Sequence, residues 1–240
     1  MKRGYLPSWP EALATAPRHA FGGSMPPERL DRSGIDIVPA LYGNDVYGDC
    51  TCVSYTNYAR CVSKLNGVDL VVDPGAPLQA YAGVLGNPPN LMATEGAMPM
   101  DVLIWQGRNG FDVGPQKLVA LQGLVAPNRI AMASAINRFG GLWFGMILHA
   151  RDEATTDTWT TTGERGDITG GHMMNAWDYT GLSDADTVRV GTWARWQAVT
   201  WPWMEEAIEA HGLVWRSLAD AAGLFYSGLT ADGLVAELAA

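Results

Sequence analysis

The stretch GNDVYGDCTCVSYTNYARC, residues 43–61, contains every cysteine of the chain, at positions 50, 52 and 61. It begins on a glycine-bearing turn and runs into a helix that Asp49 or Thr51 can cap and Gly67 follows. On a 3.6-residue wheel Cys50, Ser54, Tyr58, Cys61 and Leu65 share one face, while Cys52 points elsewhere. The cluster could be a metal site, a disulfide, a structural helix or a nucleophile. Cys-x-Cys with a third cysteine nine residues on is not metal-ligand spacing, and His19, His149, His172 and His211 are scattered. No metal and no cofactor are therefore expected. Cys50 and Cys52 are too close within one helix to bridge comfortably. The nucleophile reading draws on position. A cysteine in the first helical turn faces unpaired backbone N–H groups and the positive end of the helix dipole, and both favour a thiolate. Gly48, just before it, lets backbone and substrate approach closely.

A thiol nucleophile also needs a base and donors for the oxyanion. His172 is the strongest candidate base, because it follows two glycines and opens a predicted strand, a rigid platform. The bland alternative is a hydrogen-bonded histidine at a strand end. His149 ends an apolar strand and reads as a core residue. His19 lies in the N-terminal arm, and His211 falls at the end of a predicted helix, where an imidazolium suits the dipole.

The totals restrict the class. The chain has 240 residues, 48% apolar and 17% charged, with a formal charge of −9, a composition ordinary for a globular protein. An acidic chain with scattered Lys and Arg has no footprint for nucleic acid. No apolar run is long enough for a membrane span, and the N-terminus lacks the apolar core of a signal peptide. Residues 1–40 contain six of the fourteen prolines and little periodicity. They read as an extended arm, pinned by Tyr5, Trp9 and Phe21 or else floppy.

Helices are predicted near 77–84, over 97–110 and from Pro127 to the Gly140-Gly141 stop, and a strand or helix over 115–123. A buried strand over 142–150 leads into a polar loop, 152–171. Strands over 172–182 and 187–193 then form a hairpin through SDAD. Residues 201–212 are predicted as a helix with Pro202 near its start, and 230–240 as a short C-terminal helix. Helices first and sheet later is an α+β pattern. Five tryptophans crowd positions 193–215. They read as packing between the last strand and the helix after it, or as a groove for peptide or sugar.

With these residues in place, the chain resembles the papain-like cysteine peptidase fold. The features shared are N-D-x-x-G-D-C leading into a helix, G-G-H at 170–172 opening a strand, and a following strand ending T-W at 192–193. It is more closely similar to a group of uncharacterised papain-like proteins of bacteriophages and bacteria, over roughly residues 38–216. The resemblance implies an N-terminal helical part led by the Cys50 helix, packed on a twisted antiparallel sheet carrying His172. It also implies a Pro-rich arm over 1–37, a papain-like domain over 38–218 and a helical tail over 219–240. Cys50 would be the nucleophile, His172 the base and Asn44, six residues before the cysteine, the oxyanion donor in place of the family's glutamine. Gly48, Asp49, Gly171 and Trp193 would line the substrate site. The chain departs from the pattern at Gly191, where the family has the asparagine that orients the histidine. Two functions follow. One is a bacteriophage-type cysteine hydrolase cleaving a peptide or peptidoglycan-like amide. The other is a virion structural or assembly protein on a degenerate scaffold, partnered by other virion proteins. Either would be found in the host cytoplasm or in the virion.

Overall fold

The computed structural model describes residues 4–19, 25–68 and 70–239; Phe21, a proposed pin of the arm, lies outside them. In chain order the helices are α1 (Pro10–Thr15), α2 (Cys50–Leu65), α3 (Ala76–Val84), α4 (Pro99–Asn109), α5 (Arg129–Phe139), α6 (Ala150–Ala154), α7 (Trp201–Met204) and α8 (Ala231–Ala239). The strands are β1 (Phe111–Asp112), β2 (Lys117–Leu118), β3 (Ala120–Leu124), β4 (Leu142–His149), β5 (Ile168–Tyr179), β6 (Thr187–Thr192), β7 (Arg195–Thr200) and β8 (Glu209–Trp215). β1 and β2 form a small ribbon. The other six make one sheet in the order β3-β8-β4-β5-β6-β7, with every pairing antiparallel. Among the described residues no helix is long and apolar enough to cross a membrane.

Helix α2 lies across β5 and β4 and is buried on every face, Cys52 as fully as Cys50 and Cys61. The wheel picture of one buried face is thus too narrow. A helix carrying Thr51, Ser54, Thr56 and Asn57 survives burial because each polar group has a partner. Thr51 Oγ1 donates to Ala97 O at 3.0 Å, and Thr56 Oγ1 donates to Cys52 O at 2.9 Å. Trp143 Nε1 donates to Ser54 Oγ at 2.7 Å, and Asn57 exchanges two 2.8 Å bonds with the backbone of Ala40. Tyr55, Tyr58 and Trp215 meet edge to face at 5.3 and 5.0 Å, and Trp215 Nε1 donates to the Tyr55 hydroxyl at 2.8 Å. That aromatic knot joins the helical part to the sheet.

The predicted helices at 77–84 and 97–110 form as α3 and α4. The one after Pro127 starts at Arg129, with Asn128 capping it through Ala131 N–H at 3.0 Å, and ends on Gly140, which takes the left-handed φ of +77°. Residues 201–212 depart from expectation. Only Trp201–Met204 is helical, and Glu209–Trp215 is the strand between β3 and β4. Its pairing with two strands overrides the helix propensity of its alanines and glutamates. His211 therefore sits in the sheet, its Nδ1 3.1 Å from Gln122 Oε1, and not at a helix end. β7 is a strand the pattern did not show. It returns from β6 through a two-residue turn in which Trp193 and Ala194 have φ of +40° and +61°.

The arm and tail belong to the same body. The Arg32 guanidinium lies between the rings of Trp177 and Tyr226, 4.9 and 5.0 Å from their centroids, and donates to Ile136 O at 3.1 Å. Leu234 and Leu238 of α8 are buried, with Leu238 against Gly123 of β3. Trp9 is 64% exposed, so Tyr5, not Trp9, pins the start of the arm. Removing the knot tests the packing. Trp215→Ala is expected to cost about 4 kcal/mol of unfolding free energy in urea titration, whereas a loss near zero would mean the two parts are joined elsewhere.

Candidate active site

Cys50 is the first residue of α2, with Asp49 at the N-cap position and 1% exposure. Its sulfur accepts the Met173 N–H at 3.4 Å. Because Met173 follows His172 in β5, this bond ties the nucleophile to the strand of the proposed base. Burial pushes the Cys50 thiol from its ordinary value of 9.0 up to about 12, opposed by the amides of Met173 and Gly4 and reinforced by the Asp49 charge. In this state the sulfur is a buried neutral thiol.

His172 is also buried, at 1%. Its Nε2 lies 2.8 Å from Thr192 Oγ1, and the Trp193 indole stacks on the imidazole at 4.3 Å with 23° between planes. Thr192 and Trp193 thus fix the ring from its edge and its face. The family's alignment puts Gly191 in the orienting place, with Thr192 on the opposite strand face. The structure shows that Thr192 is on the histidine's face and Gly191 on the other. A β-carbon at 191 would sit 2.8 Å from Asn175 Oδ1 and 2.9 Å from Pro39 Cγ. A side chain at 191 would therefore have to displace Asn175 or Pro39. Asn175 turns toward Cys61, with Nδ2 3.9 Å from its sulfur, and Asp178 pairs with Arg189. Strand parity argues against Thr192 only if position 191 is taken to face the histidine; in the structure it is Thr192 that does.

Asn44, the expected oxyanion donor, is engaged within the turn. Its side-chain amide donates to Tyr47 O at 3.3 Å and to Asp49 Oδ1 at 3.1 Å, so both N–H groups brace the turn before α2. The Cys50 N–H, in the first turn of α2 where amides have no intrahelical partner, is the donor best placed by position. Asp49 is buried, its Oδ1 accepting the Asn44 amide at 3.1 Å. Gly48 and Gly171 both meet the chain's own N-terminal segment: Gly171 O accepts Tyr5 N–H at 3.3 Å, and Gly48 abuts Gly4. Trp193 stacks on the histidine. Beside the segment an open groove of about 540 Å³ runs between residues 92–95 and 169–171.

A cysteine opening a central helix, a histidine on the facing strand and an antiparallel sheet define the papain-like cysteine protease fold. The comparisons agree. The chain is similar to the procathepsin B S9 of Trypanosoma congolense, with TM-score 0.63 and 12% identity, over 88% of this chain and 85% of that one. It is similar to xylellain, a cysteine protease from Xylella fastidiosa, with TM-score 0.58 and 12% identity, over 88% and 94%. Digestive procathepsin L 3 of Tenebrio molitor larval midgut gives TM-score 0.62 and 10% identity, over 88% and 76%. No family model and no curated protein matches the sequence.

The reassignment of the third position has a direct test. Gly191→Asn, which restores the family's residue type, is expected to lower stability by about 1–3 kcal/mol through overpacking. A variant as stable as the parent, with a faster Cys50 reaction, would return the orienting role to position 191.

Proposed function

We propose that the chain is a cysteine hydrolase acting on a peptide-type amide, with Cys50 as nucleophile, His172 as general base and Thr192 as the positioning residue. The carrying observation is the bond from Met173 N–H to Cys50 Sγ. It seats the sulfur against the strand of a histidine whose far nitrogen is already engaged by Thr192. With Nε2–H donating to Thr192, Nδ1 is the ring nitrogen assigned to take the thiol proton. The thiolate attacks the amide carbonyl, and the Cys50 N–H at the helix start supports the oxyanion. The imidazolium protonates the leaving amine. Water, deprotonated by His172, then releases the acyl group and restores the thiol. A hydroxyl is a weaker tautomer control than an amide carbonyl, because it can donate as well as accept, so turnover is expected to be modest.

The sequence resemblance to phage and bacterial proteins supports a peptide or peptidoglycan-stem amide as substrate. A second reading, a virion assembly component built on this scaffold, is favoured by one observation: the cleft is occupied by the chain's own residues and Cys50 is covered. Turnover of a fluorogenic peptide library and of muropeptides decides between them, using the full chain and its Tyr5→Ala variant. The hydrolase reading expects cleavage that Cys50→Ala abolishes and that Thr192→Val slows in kcat on the order of a hundredfold. Turnover no greater than that of Cys50→Ala in both backgrounds leaves the assembly reading.

A further inference from the structure

The helical part carries an open pocket of about 390 Å³ between α3, α4 and β1, and it shares no residue with the Cys50 and His172 site. Its floor is made of small residues. Ala76, Ala80 and Gly83 recur along one face of α3, so that face is a depression. The Trp105 indole of α4 lies against it: a β-carbon at Gly83 would sit 2.6 Å from the ring's Cζ2 and 3.1 Å from its Nε1. Phe111 meets the same ring edge on, with 6.4 Å between centroids and 89° between planes. The indole is thus held from two directions and yet only partly buried. A tryptophan so placed presents an apolar ring and an N–H donor at one spot.

Polar groups surround that ring. Asn109, one turn on from Trp105, donates Nδ2 to the Trp105 carbonyl at 2.9 Å, which leaves its side-chain oxygen to accept. Asp112 Oδ1 accepts Gly114 N–H at 3.2 Å, which leaves Oδ2. Asn87 is set at the end of α3 by a left-handed φ of +57° and by its N–H bond to Ala82 O at 2.7 Å. Among the described residues, the Trp105 N–H and the side-chain amides of Gln79 and Asn87 have no hydrogen-bond partner. The lining therefore offers an indole, three carboxamides and one carboxylate, and neither lysine nor arginine. Without a cation, and with Asp112 present, it disfavours phosphates and carboxylates. Groups that both donate and accept suit the amides and Asp112, and a face of C–H groups suits the indole. A sugar ring combines the two.

We propose that this pocket is a binding site for a neutral sugar, with one pyranose ring on the Trp105 indole and its hydroxyls shared among Gln79, Asn87, Asn109 and Asp112. It gives the chain a hold on a glycan that is separate from any chemistry at Cys50. The inference goes beyond the hydrolase reading and does not rest on it.

The test is an NMR titration of the indole N–H signals of the full chain with chitotetraose and with cellotetraose. The Trp105 signal is the one that disappears in Trp105→Phe, and the remaining indole signals report that the fold is intact. At least one of the two neutral sugars is expected to shift the Trp105 signal saturably. Gln79 and Asn87 are exposed, so their alanine variants leave the core untouched. Gln79→Ala and Asn87→Ala are each expected to weaken binding about fivefold, the worth of one hydrogen bond. Oligogalacturonate, built from similar rings that carry carboxylates, is expected to bind about tenfold more weakly because it meets Asp112 and no cation. A Trp105 signal that neither neutral sugar moves overturns the proposal. So does an affinity unchanged in both alanine variants, or binding of oligogalacturonate or tetra-alanine as tight as that of the neutral sugars. Absence of peptide turnover, with the titration as expected, counts only against the hydrolase reading.

Discussion

The structure depends on how the start of α2 meets β5. A helix buried on all sides must satisfy every polar group it carries, and α2 does so with Trp143, Ala40, Ala97 and its own turns. At its first residue the partner is the Met173 amide on Cys50 Sγ. That bond joins the helix start to the strand that carries the histidine, within the packing that buries the whole helix. The aromatic knot of Tyr55, Tyr58 and Trp215 holds the same helix from behind. Fold and candidate chemistry therefore share their main constraint, and rigid support of this kind is what a positioned nucleophile requires.

The same contact explains why the thiol is quiet. A helix N-terminus normally favours a thiolate, but desolvation outweighs the donors here and the sulfur holds its proton up to about 12. Part of that burial comes from Gly4, which packs on Gly48 and directs its amide at the sulfur. On the proposed reading, Cys50, His172 and Thr192 are in place while the sulfur is covered. Trp193 completes the cover on the histidine side, thrown over the ring by a backbone in the left-handed region.

Much of this was legible in the sequence because its signals are local. The turn before Cys50, the helix after it, the Gly140 stop and the strand opened by Gly170-Gly171-His172 each depend on a few neighbouring residues. The α+β order and the papain-like fold follow from them. What stayed hidden depends on contacts distant in the chain. Glu209–Trp215 reads as helix until it is paired between β3 and β4. Thr192 becomes the histidine's partner only because the β6–β7 turn ends the strand there, while Gly191 is pressed against Asn175 and Pro39. Asn44 occupies the family's oxyanion position in sequence, yet its shorter side chain is drawn back onto Tyr47 and Asp49. The arm gave no periodicity because its path is set by glycines elsewhere, at 48, 96, 145 and 171, that leave room for it.

The central claim is that Thr192 sets the tautomer of His172 so that its other nitrogen can act on Cys50. Nitrogen-15 NMR of the His172 ring at neutral pH measures this directly. The account requires the Nε2–H tautomer in the unsubstituted chain and a shift toward a mixture of tautomers in Thr192→Val. A ring protonated at Nδ1 alone, or a tautomer ratio that Thr192→Val leaves unchanged, would contradict it.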